Sequence, residues 1–246
     1  MTEKGALLFG RYAFPPNQLG YCGPPDHQAL LDYVAAGAPD KGLVELERRF
    51  EGAYPYLVLI AQANGIADPF DERVVDAYWV GNSLLNKVEA GTFHDSLHER
   101  FAPRMNSKSF GWLTSKLTNG ARPHHNFHVF DVYVRAGLMR DERAPIAVEL
   151  MDSCRVSWGS VAAVEADELV VNRQALAMIN GKLALAEPCV KRVTRQKGGQ
   201  GFVEGVKVGD FVSIHWNWAC DVLDGGARQR LMKATDRCLE LANTTI

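Results

Sequence analysis

No run of apolar residues approaches the roughly 20 needed to cross a bilayer as a helix; the longest, around Tyr56 to Ala63, falls far short. Met1-Thr2-Glu3-Lys4 leads into only a brief apolar stretch, Ala6 to Phe9, without the layout of a secretory leader. The five cysteines, at positions 22, 154, 189, 220 and 238, form no Cys-x-x-Cys pair. Such an odd, scattered set argues against a secreted disulfide framework and for a reducing, cytoplasmic setting. Excess charge is also missing: the formal net charge is -2, which argues against nucleic acid or an anionic membrane as partner. There is no aromatic–basic strip of the kind that stacks single-stranded bases. The basic stretch Lys191 to Lys197 runs into glycines but precedes no helix, so it fits neither a P-loop nor a dinucleotide fingerprint and reads as a solvated hairpin tip. No nucleophile elbow is present. His94 and His98 lack the His-Glu-x-x-His order of zinc proteases.

What is present is the composition of a globular protein. The chain has 246 residues, 47% apolar and 23% charged, enough to bury one large core or two ordinary ones. Its periodicity changes near residue 150. From about Asp26 to Gly137 the apolar spacing is helical. One helix is expected through Leu43, Leu46, Phe50, Leu57 and Ile60, divided or kinked by Pro55. A second long helix is expected from Asp71 to a stop at Gly91, and shorter ones over 94–101, 107–117 and 145–152. Beyond Arg155 come short β-rich runs: 159–164, 168–172, 175–179, 183–193 and 211–216. Asn180-Gly181 is a hairpin-turn signal, since both residues accept positive φ. A terminal helix over 226–243 carries Leu231, Thr235, Cys238 and Leu241 on one stripe. The expected fold is therefore α+β: a helical part over 1–150, then a small OB-like β-barrel with a C-terminal helix over 151–246.

Two groups of candidate ligands stand out, one on each side of that change. In the second half, Cys154 and His215 lie at opposite ends of the expected barrel. A soft sulfur and an imidazole together can hold a first-row transition metal. The competing reading makes Cys154 a small hydrophobe and His215 a satisfied strand-end histidine. In the first half, Pro123-His124-His125-Asn126-Phe127-His128 with Asp131 is the densest set. On a helix His124, His128 and Asp131 share a face; on a strand His124, Asn126 and His128 do. Cys22, in the stiff turn Gly20-Tyr21-Cys22-Gly23-Pro24-Pro25, is a candidate reactive thiol for a site with those histidines. Cys220 joins His215 only if the strand ends at Trp216; if the strand runs on, it lies on the opposite face.

Cys154-x-x-x-x-Gly159-x-Val161, the run Gly209-Asp210-Phe211-Val212-Ser213-Ile214-His215 and the helix after Asp224 resemble the HypC/HupF family of nickel–iron hydrogenase maturation chaperones. Two details depart from that pattern: Cys154 is internal rather than at the mature N-terminus, and Trp158 stands where proline is usual. The resemblance implies an OB-like barrel that carries iron as an Fe(CN)2CO fragment. It makes Cys154 the essential thiolate and His215 the histidine at the iron, with a maturation scaffold protein or the hydrogenase large subunit as partner. The whole chain, through Gly10–Asn17, Gly20–Pro24, Pro123–Phe130 and His215–Trp218, is similar to an uncharacterised bacterial family whose genes tend to sit beside uptake-hydrogenase clusters. A non-catalytic accessory protein is the leading expectation. The alternative is a metal-dependent or redox enzyme built on Cys22, His124, His125 and His128, helping to make or load a diatomic iron ligand.

Overall fold

Ala6, Phe9, Tyr12 and Ala13 recur at helical spacing, and all four are buried in the first helix, α1 (Glu3–Gln18). The computed structural model describes residues 3–138 and 144–246; Met1 and Thr2, where the leader reading begins, lie outside them. The sequence reading places helical spacing only from about Asp26, beyond the stretch that holds Pro15 and Pro16. Both prolines fall in the last turn of α1. There Pro16 leaves the Tyr12 carbonyl without its helical donor, and that carbonyl accepts from His215 Nδ1 instead.

Around α1 pack α2 (His27–Ala36), α3 (Lys41–Arg48), α4 (Tyr54–Ala63) and α5 (Glu72–Trp79). Pro55 divides the first expected helix, as its ring demands, by starting α4. The second expected helix is broken. α5 ends at Trp79, Gly81 adopts φ +95°, and a 3-10 turn over Ser83–Lys87 intervenes before α6 (Ala90–Phe101). Polar bonds outweigh helical periodicity here: Asn82 donates to the Arg73 carbonyl and to Asp76, and caps the 3-10 turn through Leu84 N. From the far end of the chain, Arg230 reaches the Gly81 carbonyl at 2.8 Å. α7 (Ser107–Thr114) follows. The histidine-rich stretch is helical, as α8 (His125–Phe127), and widens into a π-helix over His128–Leu138. α9 (Ala144–Cys154) then leads into the sheet.

The protein is α+β, with a helical N-terminal part, a five-stranded sheet and a C-terminal helix. The strands are β1 (Ser157–Val164), β2 (Glu168–Ile179), β3 (Lys182–Thr194), β6 (Phe211–His215) and β7 (Trp218–Leu223); the two-residue strands β4 (Gln196–Lys197) and β5 (Gln200–Gly201) pair separately. The five strands close on themselves in the order β1-β2-β3-β7-β6, with β6 paired back to β1. β2 is one strand with an irregularity between Gln174 and Leu176, where the sequence suggested two. Asn180 and Gly181 both have positive φ in the β2–β3 hairpin, as their chemistry implied. α10 (Gly225–Ala242) buries Leu231, Thr235, Cys238 and Leu241, the stripe read from the sequence.

Along β6, side chains alternate between two buried surfaces. Val212 and Ile214 join Val161, Leu169, Val171 and Val193 in a small core within the sheet. Ser213 and His215 are equally buried but face α1: Tyr12 Oη lies 2.8 Å from Ser213 Oγ, and Arg11 pairs with Asp221 of β7 at 3.2 Å. The larger apolar core runs from Ala6 to Ala242, so residues on both sides of position 150 contribute to it. Trp218 belongs to it, packed edge-on against Phe14.

Candidate metal centre

The antiparallel register of β1 and β6 brings the two halves of the predicted pair together. Ser157 lies opposite Ile214, and one step beyond the ladder Trp216 N donates to the Ser153 carbonyl at 2.8 Å. Cys154, at the C-terminus of α9, is thereby set beside His215, at the end of β6. A third residue joins them from the helical half. Candidate ligand atoms of His125, Cys154 and His215 all lie within 4.8 Å of one another. The imidazoles of His125 and His215 sit edge to face, 5.0 Å between centroids.

Each of the three is held by backbone chemistry that the sequence dictates. Pro16 has no N–H, so the Tyr12 carbonyl four residues earlier lacks its usual helical donor. That carbonyl accepts from His215 Nδ1 at 2.7 Å, which places the proton on Nδ1 and leaves Nε2 as the lone-pair nitrogen. Nε2 is buried without a hydrogen-bond partner. Asn126 acts as a clamp between α8 and the start of β1: its Oδ1 accepts from Val156 N at 3.0 Å, and its Nδ2 donates to the Val156 carbonyl and to Thr235 of α10. The neighbouring His125 lies between the hydroxyl of Tyr78 at Nδ1, 3.1 Å, and the Cys154 carbonyl at Nε2, 2.8 Å. A metal bound through either nitrogen displaces one of these partners. Asp152 fixes the end of α9 to β2, accepting from Leu176 N, Arg155 and Arg173.

The surroundings are aromatic and dry. Trp79 packs against both imidazoles, 4.5 Å from His125 and 5.5 Å from His215, and Tyr12 stacks on Trp79. Burial disfavours the charged form of every ligand. It lowers His215 to about 4, with the hydrogen bond to the Tyr12 carbonyl and the nearby backbone of Cys154 opposing. His125 is pushed well below its ordinary range by burial and then by His215. Burial pushes the Cys154 thiol up to about 12, opposed by the Trp216 side chain. The Trp216 indole N–H is near enough to the sulfur to favour thiolate, yet it makes no hydrogen bond of ordinary geometry. At neutral pH the site therefore offers two unprotonated imidazoles and one thiol that ionises when a cation replaces its proton.

Not every residue singled out in the sequence reaches this point. His124 caps α8, its Nδ1 accepting from Asn126 N, and its ring lies toward the Gly81 turn. His128 meets the Tyr56 hydroxyl at Nδ1, 3.1 Å, with Arg100 over the Tyr56 ring. Asp131 is buried in an ion pair with Lys116. None of these three belongs to the group around Cys154. β6 ends at His215, and Trp216 and Asn217 form a positive-φ turn, at 47° and 66°. Cys220 is buried on β7 with its thiol toward the Trp218 carbonyl, outside the group. His94 and His98 remain as a stacked pair on α6. Arg192, within the basic stretch, is exposed and paired with Glu165 and Glu168.

Cys22 sits at the edge. By surface area the residue is exposed. Enough protein nevertheless surrounds the thiol that burial, followed by the neighbouring Cys154, pushes it up to about 12. The sequence reading missed Tyr12, Tyr78, Trp79 and Trp216 as parts of the site. Only Trp216 carried a signal, its place next to His215.

With fold and site defined, this is an α+β protein with a His-Cys-His group of metal-ligand type, its two histidines buried and its cysteine half-buried. The chain belongs to a family of unknown function (DUF6390), whose model matches residues 1–246. No curated protein and no solved structure matches it. No helix among the described residues is long and apolar enough to cross a membrane.

Proposed function

We propose that this protein is an accessory factor in nickel–iron hydrogenase assembly, holding a metal fragment between His125, Cys154 and His215 and passing it on. The observation that carries this reading is the convergence of three neutral-type donors from separate segments within 4.8 Å. The likeness of residues 154–246 to the HypC/HupF chaperones, including an OB-like barrel, gives the cargo: iron as an Fe(CN)2CO fragment. The donors suit it. Cyanide and carbonyl make iron low-spin and soft, which favours a thiolate, and uncharged imidazoles add no further negative charge. Three protein donors leave coordination positions for the diatomic ligands. The aromatic enclosure excludes water, and the helical part offers the surface on which a scaffold or the large subunit docks.

A second reading, a metal-dependent or redox enzyme, draws support from His125, which brings the helical half to Cys154 and His215. A surface cleft of about 780 Å³ reaches Trp216 and is lined by none of the three ligand residues. The test is infrared spectroscopy of protein purified anaerobically from cells that also express the maturation partners. Cyanide and carbonyl bands in the wild type, lost in Cys154→Ala, are expected; a silent wild-type spectrum contradicts the proposal.

A further inference from the structure

Where α9 meets the sheet, cations outnumber carboxylates. Asp152 Oδ1 accepts from Leu176 N at 2.8 Å and from Arg155 Nε at 3.0 Å, and Oδ2 accepts from Arg173 Nη2. Arg155 is 1% exposed and places its other arm on the Gln174 carbonyl at 2.6 Å. Arg173 is 4% exposed, yet its Nε is buried without a hydrogen-bond partner. The strand register supplies a third cation. Arg173 of β2 lies opposite Cys189 of β3, and Val171 lies opposite Lys191. Side chains two residues apart share a face, so Arg173 and Lys191 continue the face on which Val171 and Val193 form the small core within the sheet. They are diagonal neighbours across the ladder, a separation of about 7–8 Å that long side chains span. Lys191 is half-buried and has no ion pair or side-chain hydrogen bond among the described residues. Burial, and then the Arg173 charge, push its ammonium below the ordinary pKa. Cys189 is exposed and marks the side on which the cluster reaches solvent.

We propose that this cluster is a binding site for a phosphate group, held by Arg173 Nε and the Lys191 ammonium, with Cys189 at its rim. Asp152 balances one of the three cations, and a buried excess of charge is costly until it is paired. A phosphate group carries about −1.5 to −2 at pH 7 and matches what remains; a single carboxylate would leave one cation unmatched. The free guanidinium N–H and the ammonium both donate well to phosphate oxygens. Arg155 and the Leu176 N–H hold Asp152 from behind, so Arg173 is anchored at one end and free at the other. The site stands apart from His125, Cys154 and His215 and does not depend on their metal.

The test is calorimetric titration of the metal-free full-length chain with inorganic phosphate at low ionic strength, with sodium chloride as control. Saturable one-to-one binding is expected, weakened about tenfold or more in Lys191→Gln and in Arg173→Lys, because each loses a charge-assisted hydrogen bond to the anion. Lys191→Gln lies at the rim and keeps every Asp152 contact, so it is expected to fold by circular dichroism and tests the site even if Arg173→Lys does not. Glycerol phosphate separates the sources: binding alongside inorganic phosphate supports a phosphorylated small molecule, and exclusion supports the free ion. Succinate bound as tightly as phosphate would overturn the choice of ligand. No saturable binding by the wild type, or equal affinity in wild type and Lys191→Gln, would overturn the site.

Discussion

Acidification should unfold this protein well before the ordinary acid limit, because its interior holds several histidines in neutral form. Burial lowers His124 to about 4, His128 to about 3 and His215 to about 4. In the unfolded chain each returns to about 6.5. A folded pKa below the unfolded value means that the unfolded state takes up the extra proton. The stabilising contribution is complete above about pH 6.5 and is lost as pH falls toward the folded values. At pH 5 each of these three groups costs about 2 kcal/mol relative to pH 8, or about 6 kcal/mol together. His125 acts in the same direction, its pKa pushed down by burial. Glu47 opposes it, since burial without a hydrogen-bond partner raises its carboxyl pKa. A loss of about 6 kcal/mol is comparable to the whole stability of many domains. Urea unfolding followed by tryptophan fluorescence at pH 8, 6 and 5 measures it. Stability that stays within about 1 kcal/mol between pH 8 and 5 would refute the reasoning, because even one such histidine costs more.

Tyr78→Phe removes the hydroxyl at His125 Nδ1, 3.1 Å away. Metal affinity should fall about 10–100-fold, as when other outer partners of ligand histidines are removed; competition with a chromophoric chelator reads it. Pro16→Ala supplies an N–H that competes with His215 for the Tyr12 carbonyl. Thermal stability should hold or rise while metal affinity falls several-fold, and unchanged affinity would remove the proline from the account.

Much of the second half was legible because its signals are local. The Asn180-Gly181 turn, the stripe from Leu231 to Leu241 and the strand-forming runs each depend on neighbouring residues. The pairing of Cys154 with His215 was legible only through the resemblance, and the β1–β6 register is its physical basis. α1 escaped notice because two prolines masked a helical repeat of Ala6, Phe9, Tyr12 and Ala13. The break at Gly81 is held by Asn82 and also by Arg230, which lies 149 residues away, and no local pattern carries such a distant partner. His125 could not be separated from His124 and His128 for the same reason. The Asn126 clamp to Val156 and the carbonyl of Cys154 turn one imidazole of the three toward the sulfur.

X-ray absorption at the metal edge of the cobalt-loaded protein tests the central claim most directly. The account predicts sulfur at about 2.3 Å and two imidazole nitrogens at about 2.0–2.1 Å, with the sulfur lost in Cys154→Ala. A shell of oxygen and nitrogen alone in the wild type would contradict it.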